Sequence, residues 1–579
     1  GSVPVGYDNN SVNIKIDYKL TDNQNVSGIY AWGKRGQSGA YRETSTAFPQ
    51  SALPLPYTDT RIVEEIPTVL QFKHNWSITP TIVNQVSFGY VHFFVPITNA
   101  TSDGQWLTKA GLKGLPAGDA SNAFLEAAFA GPNAPAGWRA LNSRDFEDNN
   151  HNYTFQDSLL WISGKHSFRF GFQYQNTFDR VKTNDTGSNF VAGFSNNQTA
   201  GFNAGSSTVN ATTGNAYASY LLGALNTATV NDDTVILTTA QFSSFSYWAA
   251  DDWKVNSKLT LNLGLRYDYM LPYTEKDSYF SYLDPTVPNP AAGNRLGALR
   301  FGGNTAPSAI SCNCDQIIDT YPYAIGPRLG FAYALNEKTV LRGGYGIMYT
   351  RRGAVGGREG ARIGTGLTGI NANATLSALN AYDPVFYWAN GVPAYLKGPI
   401  YDQTYQTGFT TNILTATGAV AGGGAVTFGD PNSQPPRYQN WNLSLQRSLT
   451  PNMVLTLAYV GSNGKQLAGA GRNIWSNQLD PKYLVLGNLL TAQATAANVT
   501  AANVILPGVA LPYPTFSGTI AQMLRPFPQY NSVADPYGNV GQVNYHALQS
   551  SLQHALSNGL TFNVNYTYSK AIGNIFGVR

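Results

Sequence analysis

The sequence predicts an all-β protein, an antiparallel transmembrane β-barrel, on three observations. Apolar and polar residues alternate with a period of two, short polar turns alternate with very long connections, and aromatic residues are abundant where charge is scarce.

The alternation is strict in several segments. Leu259, Leu261, Leu263, Leu265, Tyr267 and Tyr269 share one parity, with Thr260, Asn262, Gly264, Arg266 and Asp268 on the other. Val12, Ile14, Ile16, Tyr18 and Leu20 repeat the pattern, as do Phe168, Phe170, Phe172 and Tyr174, and Phe562, Val564, Tyr566 and Tyr568. Side chains two apart on a strand share a face, so each segment is a strand with one apolar side.

The strands come in pairs. Turns are expected at Thr21–Asn25, Ser77–Thr81, Ser163–Lys165, Val255–Ser257, Asn336–Glu337, Leu449–Pro451 and Leu556–Asn558, each rich in turn formers. Seven hairpins give about fourteen strands. The connections between hairpins are long and are expected near 36–61, 96–150, 182–239, 272–321, 353–436 and 462–541. In an antiparallel meander this places every short turn on one rim and every long loop on the other. Outer-membrane barrels have that asymmetry, with the long loops extracellular.

Composition agrees. Across 579 residues, 13% are aromatic and only 12% charged, about half the usual charged share. Mean hydropathy is −0.21 and no run of 18 apolar residues occurs, which excludes transmembrane helices. A soluble sandwich also alternates, but its outward face is normally rich in Lys and Glu. Here the polar parity is Asn, Thr, Ser and Gly, as suits a wet lumen. Net charge is +4 without a basic stripe, so no nucleic acid partner is expected. Trp161, Trp248, Trp253, Tyr267, Tyr269, Tyr566 and Tyr568 are expected at the membrane interfaces, where aromatic girdles form. Gly1–Gly6 lacks the charged and apolar blocks of a signal peptide.

Chemistry is sparse. The six histidines show no metal-ligand spacing, and adjacent Asp251 and Asp252 point to opposite faces of one strand. Gly356–Gly360 is glycine-rich without the Lys-Ser or Lys-Thr of a phosphate loop. No enzyme activity, cofactor or metal is expected. Cys312 and Cys314 form a candidate loop disulfide in an oxidising compartment, and two thiolates alone make a poor zinc site. Two candidate ligand-binding groups remain. Arg351, Arg352, Arg358 and Arg362 put four cations at a strand exit, and Phe386, Tyr387 and Trp388 form an aromatic cluster in the longest loop. Ala216–Ala224 and Tyr483–Ala492 read as short loop helices.

Particular words in the sequence carry a family resemblance. Asp251-Asp252-Trp253-Lys254 followed by Leu263-Gly264-Leu265-Arg266-Tyr267 resembles a barrel hairpin of TonB-dependent receptors. Pro327–Tyr333 with Leu341–Gly346, and Asn544–Gln549 with Asn565–Lys570, resemble further hairpins of the same family. The nearest subgroup is the Oar-like, acidobacterial type, which carries a carboxypeptidase-regulatory-like domain. The resemblance implies a barrel of about 22 strands, so the fourteen read here would be part of one β-barrel domain, lacking the plug and the last strands. It implies uptake of a scarce siderophore, oligosaccharide or peptide, driven by the TonB complex through an N-terminal region not in this chain. Outer-membrane lipid and lipopolysaccharide would be further partners. The alternative is a surface binding, adhesion or structural protein of barrel origin that transports nothing.

Overall fold

In a computed structural model, the structure describes residues 6–38, 61–99, 106–114, 126–137, 146–182, 190–232, 237–304, 306–352, 372–377, 380–393, 425–467, 477–535, 540–557 and 559–574, with isolated positions between them. Fourteen long strands form one antiparallel meander in chain order. They are β1 Gly6–Thr21, β2 Gln24–Ser38, β3 Arg61–Thr79, β4 Ile82–Asn99, β5 Phe146–Ser163, β6 His166–Lys182 and β7 Leu237–Lys254. The second half comprises β8 Leu259–Met270, β9 Ile325–Asn336, β10 Thr339–Tyr349, β11 Arg437–Thr450, β12 Met453–Leu467, β13 Gly541–Ser557 and β14 Leu560–Gly573. Each predicted hairpin is present, and the turn between its strands is two to four residues long. Among the described residues β1 and β14 are the two edges and do not pair with each other.

The register fixes which residues share a face. In β7 and β8, Phe245, Tyr247, Ala249 and Trp253 stand opposite Tyr269, Tyr267, Leu265 and Leu261. That parity continues across the sheet as an apolar band. Leu263 and Leu265 leave 41% and 52% of their surface uncovered, so no second protein layer covers them. The inner parity is polar and tied across strands: Arg169 pairs with Asp252 at 3.0 Å, Asn262 donates to Asp252 at 2.6 Å, and Ser246 donates to Asp268 at 2.6 Å. Asp251 falls on the outer face, where His166 Nδ1 lies 2.6 Å away, so the two neighbouring aspartates do point to opposite sides.

Several strand glycines stand directly opposite an aromatic residue, and three such pairs are closely packed: Gly171 and Trp248, Gly343 and Phe331, Gly461 and Trp441. In each pair the ring lies over the glycine and fills the space a Cβ would take. The ring thereby restores the packing that glycine lacks and pins the register.

Candidate functional site

The long connections fold into layers with their own cores at one rim of the meander. Strand Glu126–Ala130 pairs in parallel with Phe190–Ser195, which pairs with Thr227–Asp232, which pairs with Ala372–Ser377. Three loops thus build one small sheet. Its core contains Leu107, Phe190, Phe194, Leu225, Val230 and Leu376, all sealed from solvent.

Against this core lies a groove of about 400 Å³ lined by Phe194, Tyr220, Leu221, Leu222, Gly223 and Trp388, among others. Local chemistry explains its shape. The Asn215 side chain accepts the backbone N–H groups of Tyr217 and Ala218 and so caps the helix Ala216–Leu221. Gly223, at φ +65°, turns the chain beyond that helix. The turn lets Trp388 approach: its N–H donates to the Gly223 carbonyl at 2.7 Å and its indole Nε1 to the Ala110 carbonyl at 2.8 Å. The lining carries no side chain that is charged at neutral pH, so the groove suits an uncharged, apolar or planar group.

This revises the reading of the aromatic cluster. Phe386 is buried in the loop core, and its carbonyl accepts the N–H of Leu225 at 3.2 Å, so it anchors the loop. Trp388 lines the groove and Tyr387 is half exposed beside it. Sequence reasoning marked Ala216–Ala224 as a helix but missed Tyr220, Leu221 and Leu222 as groove residues. The available signal was Asn215 as a cap ahead of an apolar run, a short helix with more apolar residues than one buried face can use.

The arginines are also anchored. Arg351 lies over the rings of Phe242 and Tyr273, at 4.6 and 4.7 Å from their centroids. Arg352 is buried, with Nη1 donating to the Ser433 carbonyl at 2.5 Å and Nη2 to the Asp319 carbonyl. Arg352 therefore ties the strand exit to two loop segments instead of facing a ligand. Arg358 and Arg362 lie outside the described residues. The same core holds Phe280, Ile317 and Ile318, flanked by Cys312 and Cys314, whose sulfurs are bonded at a Cα separation of 5.1 Å. Burial pushes the Tyr273 phenol up to about 12, against the pull of Arg351, so it stays a neutral hydroxyl. Burial also raises Glu275, although its carboxylate accepts the N–H groups of Thr239, Tyr279 and Asp277.

On the wall, Trp161 and Trp253 lie on the outer face beside the short turns, where Trp161 meets Phe168 and Trp253 meets His166, each at 5.3 Å. Tyr267 and Tyr269 occupy the outer face at the loop end of β8. Tyr566 and Tyr568 share the outer face of β14, Tyr566 at mid-strand. Trp248 departs from the expectation. It lies on the inner face over Gly171 with the Arg266 guanidinium 5.6 Å from its ring, because it neighbours the outward Tyr247. Among the described residues no group of three or more His, Cys, Asp or Glu could hold a metal ion.

The family described as "Outer membrane beta barrel domain" matches residues 2–578. No curated protein matches the chain. Among solved structures, the chain is similar to the outer membrane transporter YddB from Escherichia coli, at 12% identity and TM-score 0.48, over 98% of this chain and 49% of that one. It is similar to the siderophore receptor PirA from Acinetobacter baumannii, at 11% and 0.43, over 98% and 53%. A third is FpvA of P. aeruginosa, solved bound to pyoverdines, at 9% and 0.42, over 98% and 50%. The chain spans about half the length of these structures.

Proposed function

The chain belongs to the outer-membrane β-barrel domain family, and from that premise we propose that it forms the wall and external loops of a TonB-dependent transporter of the Oar-like type. Its task is uptake of a scarce ligand (a siderophore, oligosaccharide or peptide) from outside the cell. The wall lies in the outer membrane, its apolar parity against lipid and its polar parity lining the lumen.

One observation supports this reading above the others: a neutral groove of about 400 Å³ sits in a preformed layer built by the long loops at one rim of the wall. A wide barrel leaks unless uptake is selective, and a rigid loop site supplies selection before entry. Partners in this reading are the external ligand, outer-membrane lipid and lipopolysaccharide, and the TonB complex, reached through a region outside this sequence.

The test is uptake by cells carrying or lacking the gene, with labelled siderophores, oligosaccharides and peptides, before and after the proton-motive force is dissipated. Energy-dependent uptake of at least one class, lost with the gene, is expected. Gene-dependent adhesion with no energised uptake of any class would replace transport with the surface-binding alternative.

A further inference from the structure

The outer wall carries an unbalanced charge at the loop rim. Arg437 opens β11 and stands directly between Tyr349, the last residue of β10, and Lys465 on β12. All three belong to the parity of Tyr345, Trp441 and Tyr459, the outward parity. Like charges directly opposed on neighbouring strands repel. Among the described residues neither cation has an ion-pair partner. The Nε of Arg437 is shielded from solvent and lacks a hydrogen-bond partner.

Tyrosine hydroxyls stand on the β10 side of Arg437. Just before β9, the Tyr321 ring packs against Tyr349 at 6.4 Å and against Tyr323 at 5.7 Å, and Tyr323 is 68% exposed. Burial and Tyr349 hold the Tyr321 phenol above its usual value, with Arg437 pulling the other way, so Tyr321 remains an O–H donor beside the guanidinium.

Height identifies the surroundings. Lys465 lies thirteen residues beyond Asn452 of the short turn (465 − 452). That is about 43 Å along a strand and, at the usual tilt, roughly 33 Å along the membrane normal, beyond an apolar band about 25 Å tall. On β11, Arg437 lies four residues past Trp441 (441 − 437) toward the loops. Interfacial aromatics mark the headgroup level, so both cations project into the outer headgroup layer.

We propose that Arg437 and Lys465, with the hydroxyls of Tyr321, Tyr323 and Tyr349, bind a phosphate of an anionic glycolipid in the outer leaflet. Two opposed cations are matched by one doubly charged phosphate, and phenol O–H groups supply donors to its oxygens. The assignment rests on the outward parity facing lipid, and it names residues for the lipid partner of the proposed transporter.

The experiment titrates the protein in detergent micelles with diphosphoryl lipid A, with its dephosphorylated form and with inorganic phosphate, read by native mass spectrometry. Binding of the diphosphoryl lipid alone is expected, weakened about tenfold in R437Q/K465Q. It should be retained in the charge-keeping R437K/K465R and in K34Q, whose lysine is already paired with Glu64 at 2.8 Å. Heat-modifiable migration on gels establishes that each variant is folded. Equal binding by R437Q/K465Q, or equal binding of the dephosphorylated lipid, overturns the proposal, and saturation by inorganic phosphate without lipid binding reassigns the site to a soluble anion. Energised uptake is measured separately: a phosphate-dependent lipid site in a protein that transports nothing would leave this inference standing and remove the transport reading.

Discussion

On the wall, Leu265 and Leu329 leave 52% and 53% of their surface uncovered, while in the loop layer Leu225, Leu283 and Leu299 leave none. The residue type is the same and the solvent differs. Along the wall the apolar side chains point away from the protein, because hydrocarbon lies there and the lumen is wet. In the loop layer water surrounds the chain, so leucines turn inward and build compact cores as in any soluble domain. One polypeptide thus applies two opposite rules, and the strand ends mark where one gives way to the other.

Four perturbations test that contrast. The largest effect is expected in the loop cores, where Leu283→Ala should cost roughly 2–5 kcal/mol through lost transfer energy and a residual cavity. Limited proteolysis should then cut the loop layer while the wall keeps its heat-modifiable migration; loss of both together would show that layer and wall are one cooperative unit. On the wall the damaging change is the reverse kind. Leu263→Arg should cost roughly 2–4 kcal/mol toward the bilayer midplane, against almost nothing for Gln173→Arg on the inner face of β6, both read by urea titration in lipid vesicles. Equal costs at the two sites would mean that the faces are misassigned.

A smaller effect tests the ring-over-glycine pairs. In Gly461→Val the new side chain must displace the Trp441 ring, at about 1–3 kcal/mol, with a shift in tryptophan emission; an unchanged spectrum would show that the ring is not held there. The smallest is expected at Cys312→Ser/Cys314→Ser. A bond across so short a loop restricts the unfolded chain little, so the loss should be about 1–2 kcal/mol. It should appear only as faster proteolysis near residues 300–320, and a change in wall stability would contradict the separation of the two regions.

The wall was legible in the sequence almost residue by residue. Leu259–Tyr269 and Phe168–Tyr174 declare their faces by parity alone, and turns such as Ser163-Gly164-Lys165 fix where the chain reverses. Trp248 shows the boundary of that reading: proximity in sequence grouped it with Tyr247, although neighbouring strand residues face apart. In the loops, Phe386 and Arg352 looked available because no local pattern marks a buried position there. Their fates depend on residues far away in sequence, as when Asn289 meets the Tyr530 hydroxyl 241 positions on, at 3.3 Å.

Parity and turn chemistry along the chain suffice for the fourteen strands, their hairpins and the two faces of the wall, because a period of two and a local turn are properties of adjacent residues. Long-range folding alone set the loop sheet, the groove beside Trp388 and the burial of Arg352 against the Ser433 and Asp319 carbonyls. Those depend on which distant segments meet, and contacts over such separations leave no periodic trace along the chain.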